Sequence, residues 1–200
     1  MSVIPSQLAL ELGANLLNLA SILLAGRNHV ATWPLGILGC IAFGFLFFRT
    51  QLYADATLQL FFIATSLWGW RQWSAMGETP PLAVKRTPKP TLALALLASV
   101  LVTAVYGVLL HHFTNAYAPY ADSVVLAFSV TAQLLLMRRR LETWWFWIIV
   151  NSVAVPLYFS RDLTLTAWLY VGFWGNAVIS YFHWRKLATA EFARAEKSQP

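Results

Sequence analysis

Charged residues are scarce in this chain of 200 residues. Fourteen Lys and Arg and eight Asp and Glu together make up 11% of the sequence, whereas a soluble domain carries about 25%. Hydrophobic residues make up 58%, and they include ten Trp, thirteen Phe and seven Tyr. So little charge beside so much apolar surface excludes an ordinary soluble domain and predicts an integral membrane protein.

The chain also lacks the residues on which most enzymes and cofactor proteins depend. Cys40 is its single cysteine, so an internal disulfide and a cysteine metal motif are both excluded. The sequence has no Gly-rich phosphate loop and no Gly-x-Ser-x-Gly, and His111 and His112 are adjacent rather than spaced as zinc ligands on a helix. We therefore expect neither an enzyme nor a bound cofactor or metal.

Seven apolar segments are long enough to cross a hydrocarbon core, which takes roughly 20 helical residues. They are 8–26, 32–49, 54–73, 91–110, 119–137, 143–160 and 164–184. A Pro-rich polar loop over 74–90 cannot be helical throughout. The predicted fold is therefore all-α, with seven transmembrane helices in a single membrane domain over 1–187 and a cytoplasmic tail over 188–200.

Positive charge is concentrated at one end of these spans. Twelve Lys and Arg end or follow spans one, three, five and seven, and only Arg49 and Arg161 lie at the opposite ends. Cytoplasmic loops of membrane proteins carry the excess of Lys and Arg, so we expect the N-terminus outside and the C-terminus in the cytoplasm. We therefore interpret the net charge of +6 as a signal of membrane topology. The expected partner is the lipid bilayer, and no nucleic acid is expected.

The sequence contains an internal repeat. A shift of 111 residues overlays spans one to three on spans five to seven without a gap. The equivalences least attributable to chance pair Trp33 with Trp144, Trp73 with Trp184, and Glu11 with Asp122. We therefore expect each triplet of helices to fold in the same way.

One odd helix between two triplets makes both triplets run in the same direction across the membrane. This predicts a 3+1+3 layout of parallel repeats, with repeat one over 8–73, a linker helix over 91–110 and repeat two over 119–184. SWEET sugar transporters have parallel repeats of this kind, and transporter sites lie near the midplane where the repeats meet. By fold analogy, the layout favours a transporter.

Polar side chains within the spans are the candidates for ligand binding. Trp144, Trp147 and Asn151 share one helix face, so two indoles and an amide converge there. The other candidates are Gln59, its repeat equivalent Tyr170, and Trp174 and Asn176 in the last span. The open alternative is that the amides join helices and that Trp144 belongs to an interfacial aromatic belt.

No acidic residue lies at mid-membrane, where a proton-relay carboxylate is expected. Glu11 and Asp122 lie near the outer ends of spans one and five, where helix capping and a role in gating both stay open. Pro156 interrupts span six one turn beyond Asn151, which predicts a kink. The pattern favours a path for a neutral or delocalised-charge solute without proton coupling.

Several motifs resemble those of the PnuC-type vitamin transporters. They are Trp33-Pro34-Leu35-Gly36, the run Leu52–Phe62 followed by Trp68–Trp73, and Trp144-x-x-Trp147-x-x-x-Asn151 with Pro156-Leu157-Tyr158. The resemblance covers about 8–187. It places the family's tryptophan-asparagine motif on Trp144, Trp147 and Asn151, and its span-three glutamine on Gln59.

The resemblance implies a full-length SWEET-like fold in the bacterial inner membrane. It implies facilitated diffusion of nicotinamide riboside as the small-molecule vitamin substrate, made one-way by a cytoplasmic kinase that phosphorylates it. Facilitated diffusion of this kind needs no cofactor, and the family resemblance is compatible with a homotrimer.

Three alternatives for the substrate follow from the last span. Its run Phe173-Trp174-Gly175-Asn176 is more aromatic and polar than the aliphatic run expected there. Related branches carry thiamine, or riboflavin or a deoxynucleoside, and thiamine, a flat cation, is the nearest rival. The alternative of another class is a non-transporting membrane scaffold.

Since Trp144 has an equivalent in Trp33, we expect Trp147 and Asn151 to carry most of the ligand specificity.

Overall fold

The computed structural model describes residues 5–49, 53–75, 83–114, 116–160 and 164–197. Across those ranges the helices are α1 (Pro5–Gly26), α2 (Thr32–Arg49), α3 (Tyr53–Ala75), α4 (Lys89–Phe113), α5 (Pro119–Met137), α6 (Thr143–Ser160) and α7 (Thr164–Lys197). Each contains one predicted span, so the all-α fold is confirmed. The side chain of Glu11 lies outside the described part of the chain.

Helix boundaries follow the local signals of the sequence. Pro90 occupies the first turn of α4, and α5 begins at Pro119, where a missing N–H costs no hydrogen bond. Pro156 lies inside α6, as predicted. The last helix differs, because α7 continues beyond residue 184 into the segment interpreted as a tail and ends at Lys197.

By length and composition alone, two of the described helices are long and apolar enough to cross a membrane. They are Lys89–Phe113 and Pro119–Met137. Among the remaining described helices, α6 and α7 mix Trp, Asn and Ser with their aliphatic residues. Such polar and amphipathic side chains lower the hydropathy of a span without preventing it from crossing a bilayer.

The chain folds as two compact units, Met1–Leu82 and Ala83–Pro200. We call them unit 1 and unit 2. In unit 1, α2 packs against both α1 and α3. In unit 2, α4 packs against α5, and α6 packs against both α5 and α7. The middle helix of each triplet is therefore the one that contacts both of its neighbours.

The turns after α1 and after α5 have the same backbone geometry. Asn28 and Arg139, which are 111 residues apart, both adopt a left-handed conformation, with φ of 56° and 49°. The N–H of Asn28 donates to the carbonyl of Ala25, and that of Arg139 to the carbonyl of Leu136, both at 2.9 Å. The next residue in each turn donates five residues back, at 3.0 Å. Both turns are therefore Schellman motifs, which close the helix end with two backbone hydrogen bonds.

The equivalence of the triplets extends to their side chains. The hydroxyl of Thr32 donates to the carbonyl of Ser21, and the hydroxyl of Thr143 donates to that of Ala132, each at 2.8 Å. Within a low-dielectric interior such bonds fix how two helices approach. The predicted internal repeat is therefore present as two copies of one local structure.

Each triplet also buries one pair of tryptophans edge to face. The rings of Trp33 and Trp73 are 5.1 Å apart and perpendicular, and those of Trp144 and Trp184 are 5.3 Å apart and perpendicular. This arrangement places the positive ring edge of one indole on the negative face of the other. The tryptophans that identified the repeat in the sequence therefore make equivalent contacts in both units.

The end of the Pro-rich loop is fixed against the α5–α6 turn. We call residues 85–87 the clasp. Lys85 forms a parallel bridge with Arg140: its N–H donates to the carbonyl of Arg139, and its carbonyl accepts from the N–H of Leu141, both at 3.0 Å. The N–H and hydroxyl of Thr87 both donate to Oε2 of Glu142, at 2.7 and 2.6 Å. The clasp therefore ties the start of α4 to the turn between α5 and α6.

We expect Glu142→Gln to destabilise unit 2. Glu142 is only 5% exposed, and hydrogen bonds to a charged group are roughly twice as strong as neutral ones. The neutral amide should lower the free energy of unfolding by about 1–2 kcal/mol. The measurement is thermal melting in detergent, with Thr87→Ser as the control because serine keeps both donors. Equal melting of Glu142→Gln and the unchanged protein would show that the buried carboxylate does not hold the clasp.

Candidate functional site

Trp144 is placed by the first turn of α6 and packs inside unit 2. It is 2% exposed, and its ring contacts Trp184 of α7. Its indole Nε1 is buried without a hydrogen-bond partner among the described residues, and so is Nε1 of its equivalent, Trp33. Since both copies pack in the same way, this contact belongs to the scaffold of the triplet. A role of Trp144 in binding a ligand stays a prediction.

Asn151 lies two turns further along α6, where it is 4% exposed. No hydrogen bond joins its side-chain amide to another described residue. Leaving a buried amide without a partner costs about 1–3 kcal/mol. A ligand that hydrogen-bonds this amide would recover that energy, which makes Asn151 the strongest binding candidate on the helix.

Trp147 lies between these two residues and is half-buried. It packs against a core cluster of α5 and α6 formed by Ala127, Phe128, Ala132, Leu135, Phe146 and Val150. The equivalent residue in unit 1 is Gly36, where an added Cβ would lie 3.0 Å from Oγ of Ser21. The equivalent helix pair therefore packs closely in unit 1, whereas unit 2 accommodates an indole.

The candidates on α7 contact α6 through a second set of aromatic side chains. Tyr170 packs against Tyr158 at a ring distance of 4.8 Å and against Phe173 at 5.3 Å. The indole Nε1 of Trp174 donates to Oγ of Ser152 at 3.0 Å. Since Ser152 follows Asn151, this bond places Trp174 beside the segment of α6 that carries the predicted site.

Ser152 was not among the predicted site residues. It is one of several polar residues in the spans, and no spacing rule joins it to Trp174, which lies on another helix. Pro156, which has no N–H, leaves the backbone carbonyl of Ser152 without its helical donor. The same residue therefore marks the break in the α6 hydrogen-bond ladder and holds Trp174.

Gln59 lies in unit 1, on α3, and is half-buried. Its Cβ and Cγ would lie 3.6 and 3.9 Å from a Cβ added at Gly44, so the stem of the side chain packs against α2. Asn176 is half-buried on α7 of unit 2. The structure therefore brings Trp147, Asn151, Ser152 and Trp174 onto adjoining parts of α6 and α7, and the role of Gln59 stays a prediction.

Metal-binding side chains are not clustered in the described ranges, where no group of three or more His, Cys, Asp or Glu is placed to hold an ion. Cys40 is buried on α2. The chemistry that the α6 and α7 residues offer is hydrogen bonding by amide and hydroxyl groups beside aromatic faces, which suits a flat polar ligand.

Comparison with known proteins connects this arrangement to a family. The model of the family described as nicotinamide mononucleotide transporter matches residues 8–186. The nicotinamide riboside transporter PnuC of Neisseria mucosa is 28% identical over 179 residues, which cover 83% of this chain and 68% of that protein. PnuC of Escherichia coli is 25% identical over 175 residues, covering 74% and 73%.

A further relative and a solved structure agree with this. The riboflavin/roseoflavin transporter RibM of Streptomyces davaonensis is 25% identical over 166 residues, covering 80% of this chain and 77% of that protein. A crystal structure of the vitamin B3 transporter PnuC superposes with a TM-score of 0.71 at 24% identity, covering 90% of this chain and 82% of that one. The resemblance inferred from the motifs is confirmed, and the chain belongs to the nicotinamide mononucleotide transporter family of membrane transporters.

Proposed function

We propose that this chain carries nicotinamide riboside across the bacterial inner membrane by facilitated diffusion. The observation that carries the proposal is the buried amide of Asn151, which lacks a described hydrogen-bond partner on the helix that also carries Trp147. The amide offers a partner to the carboxamide or ribose of the ligand. The indole offers an aromatic face to the cationic pyridinium, a pairing worth about 0.5–2 kcal/mol. The names of the two PnuC relatives support this substrate.

The distribution of charge favours the nucleoside over its phosphate. α6 contains no Lys or Arg between Thr143 and Ser160, and in α7 the described cations Arg185 and Lys186 lie beyond the predicted span 164–184. A phosphate group at mid-membrane would therefore lack a cationic partner and pay the full cost of leaving water. A nucleoside with one delocalised positive charge avoids this cost.

The charged residues of the chain also bear on the driving force and the direction of vitamin uptake. The spans hold no mid-membrane carboxylate to couple transport to protons. We infer that uptake is driven by the vitamin gradient, which a cytoplasmic kinase maintains by phosphorylating the vitamin. The N-terminus then lies outside and the C-terminus in the cytoplasm. The protein itself moves the vitamin without converting it, and a homotrimer is compatible with this function.

Riboflavin is the second candidate substrate. The relative RibM is named a riboflavin/roseoflavin transporter, and Tyr170 and Trp174 give α7 two aromatic side chains in contact with α6. A flavin ring is wider than a pyridinium and would use both aromatic faces. Thiamine, a flat cation of similar size, completes the set of competitors to be measured.

Uptake of labelled nicotinamide riboside into proteoliposomes tests the proposal. We expect saturable uptake, with the vitamin recovered unmodified from the lumen. Nicotinamide mononucleotide should compete at least about 10-fold more weakly, because its phosphate finds no cation in the path. Uptake no faster than in protein-free liposomes would indicate a scaffold, and stronger competition by riboflavin or thiamine would assign another vitamin.

A further inference from the structure

We propose that the basic residues around the clasp bind the phosphate of an anionic phospholipid headgroup. Four exposed cations lie within the clasp or next to it in unit 2: Lys85, Arg86, Lys89 and Arg138. We call them the clasp patch. This inference concerns a lipid site and does not depend on which vitamin is carried.

The backbone beneath the clasp patch is fixed by hydrogen bonds. Lys85 is held through both its N–H and its carbonyl, each at 3.0 Å from the α5–α6 turn. The carbonyl of Arg86 accepts from Nη1 of Arg140 at 2.8 Å. The cationic side chains therefore project from an ordered backbone, which lowers the entropic cost of gathering them around an anion.

The clasp patch has no described acid to neutralise it. Glu142 is the acidic residue of this turn, and its carboxylate is buried and accepts both hydrogen bonds from Thr87. No ion pair among the described residues involves any of the four cations. Four like charges on one ordered surface repel one another, and a bound phosphate relieves that repulsion.

The first triplet provides an internal comparison. Its turn after α1 has the same backbone hydrogen bonds as the turn after α5, and Arg27 is the equivalent of Arg138. Beyond Arg27 that turn holds Asn28 and His29 in place of two arginines. The Schellman turn itself therefore folds without Arg139 and Arg140, whose side chains are not part of the clasp patch.

The surface next to the clasp patch favours a lipid over a soluble phosphate. The patch adjoins the first turn of α4, and the exposed side of that helix is aliphatic. Leu94 is 66% exposed, and Leu97 and Leu101 are also exposed. Cations at the helix ends lie at the level of headgroups, where clusters of Lys and Arg bind anionic lipids. An acyl chain would then lie along α4 while the phosphate contacts the cations above it.

The proposal is tested by thermal melting of the full chain in detergent micelles doped with either phosphatidylglycerol or phosphatidylcholine. We expect phosphatidylglycerol to raise the melting temperature more than phosphatidylcholine does. Lys85→Gln/Arg86→Gln should lose at least half of that difference. The matched control is Arg27→Gln/Arg71→Gln, which removes two exposed cations from unit 1 and should keep the difference.

The other outcomes overturn the proposal. An equal loss in both double variants would show that general surface charge attracts the lipid. Equal stabilisation by the two lipids would show that no anionic site exists. Stabilisation by inorganic phosphate equal to that by phosphatidylglycerol, and lost in Lys85→Gln/Arg86→Gln, would identify a soluble anion as the ligand.

Discussion

Replacing Asn151 with leucine is expected to weaken nicotinamide riboside binding roughly 100-fold, because the ligand would lose the hydrogen-bond partner that this buried residue offers. Leucine has a similar volume, so the packing of α6 should be kept. Since the amide makes no described hydrogen bond within the protein, its removal should leave stability unchanged or raise it. Binding in detergent by isothermal titration calorimetry measures the first effect, and thermal melting measures the second.

Gln72→Leu is the matched control for this variant. It also removes one amide, in this case from a half-buried position near the end of α3 and outside the predicted site. We expect its affinity to stay within about 3-fold of the unchanged protein. Asn151→Leu with unchanged affinity would remove Asn151 from the site, and a loss of affinity with a collapse in melting temperature would assign it to packing.

Gly69→Ala is expected to give the largest loss of stability, at about 2–3 kcal/mol from overpacking. A Cβ at this position would lie 2.5–2.7 Å from three ring carbons of Trp33. That ring is buried and already contacts Trp73, so it has no room to retreat. The expected result is a lower melting temperature for Gly69→Ala, measured in detergent.

Two comparisons separate this clash from a general effect of alanine. Gly172→Ala adds the same methyl group to α7 where no heavy atom lies within 4 Å, and it should raise stability by about 0.5–1 kcal/mol. In a Trp33→Phe background, Gly69→Ala should cost less, because the smaller ring leaves space. Equal costs in both backgrounds would mean that Trp33 is not the residue that excludes a side chain here. The equivalent of Gly69 in unit 2 is Ser180, so the repeat does not by itself require glycine at this position.

The helices and the repeat could be predicted because their signals are local or periodic. Apolar runs of membrane length set the helix bounds, and prolines set the starts of α4 and α5. The shift of 111 residues was visible in Trp33 and Trp144, and the structure gives it a physical basis in shared turns and shared indole contacts. The continuation of α7 was missed because its last residues are polar and lie beyond any membrane span.

The clasp could not be predicted, because it joins residues more than 50 positions apart, through backbone atoms and the Glu142 carboxylate. Thr87 and Glu142 bear no sequence relation that distinguishes their pairing. The triple arginine 138–140 was interpreted as a topology signal alone, whereas Arg139 is buried and adopts the left-handed conformation. Long-range pairing of this kind depends on the tertiary fold, which residue patterns do not encode.

The binding site itself stays a prediction, and the sequence pattern could locate its residues only on single helices. The spacing of Trp144, Trp147 and Asn151 placed them correctly on α6, but it could not show that Trp144 turns inward to pack on Trp184. Nor could it show that Ser152 holds Trp174, since that bond depends on how α6 and α7 pack together. Trp174 keeps 41% of its surface exposed, so its ring remains accessible to a ligand.

The two perpendicular indole pairs also make the protein optically informative. Closely spaced, rigidly held indoles in a chiral arrangement give a strong near-ultraviolet circular dichroism signal, and each unit contributes one such pair. Loss of fixed side-chain packing abolishes that signal even when helices persist. Loss of the signal therefore reports loss of native side-chain packing, without any label or added probe.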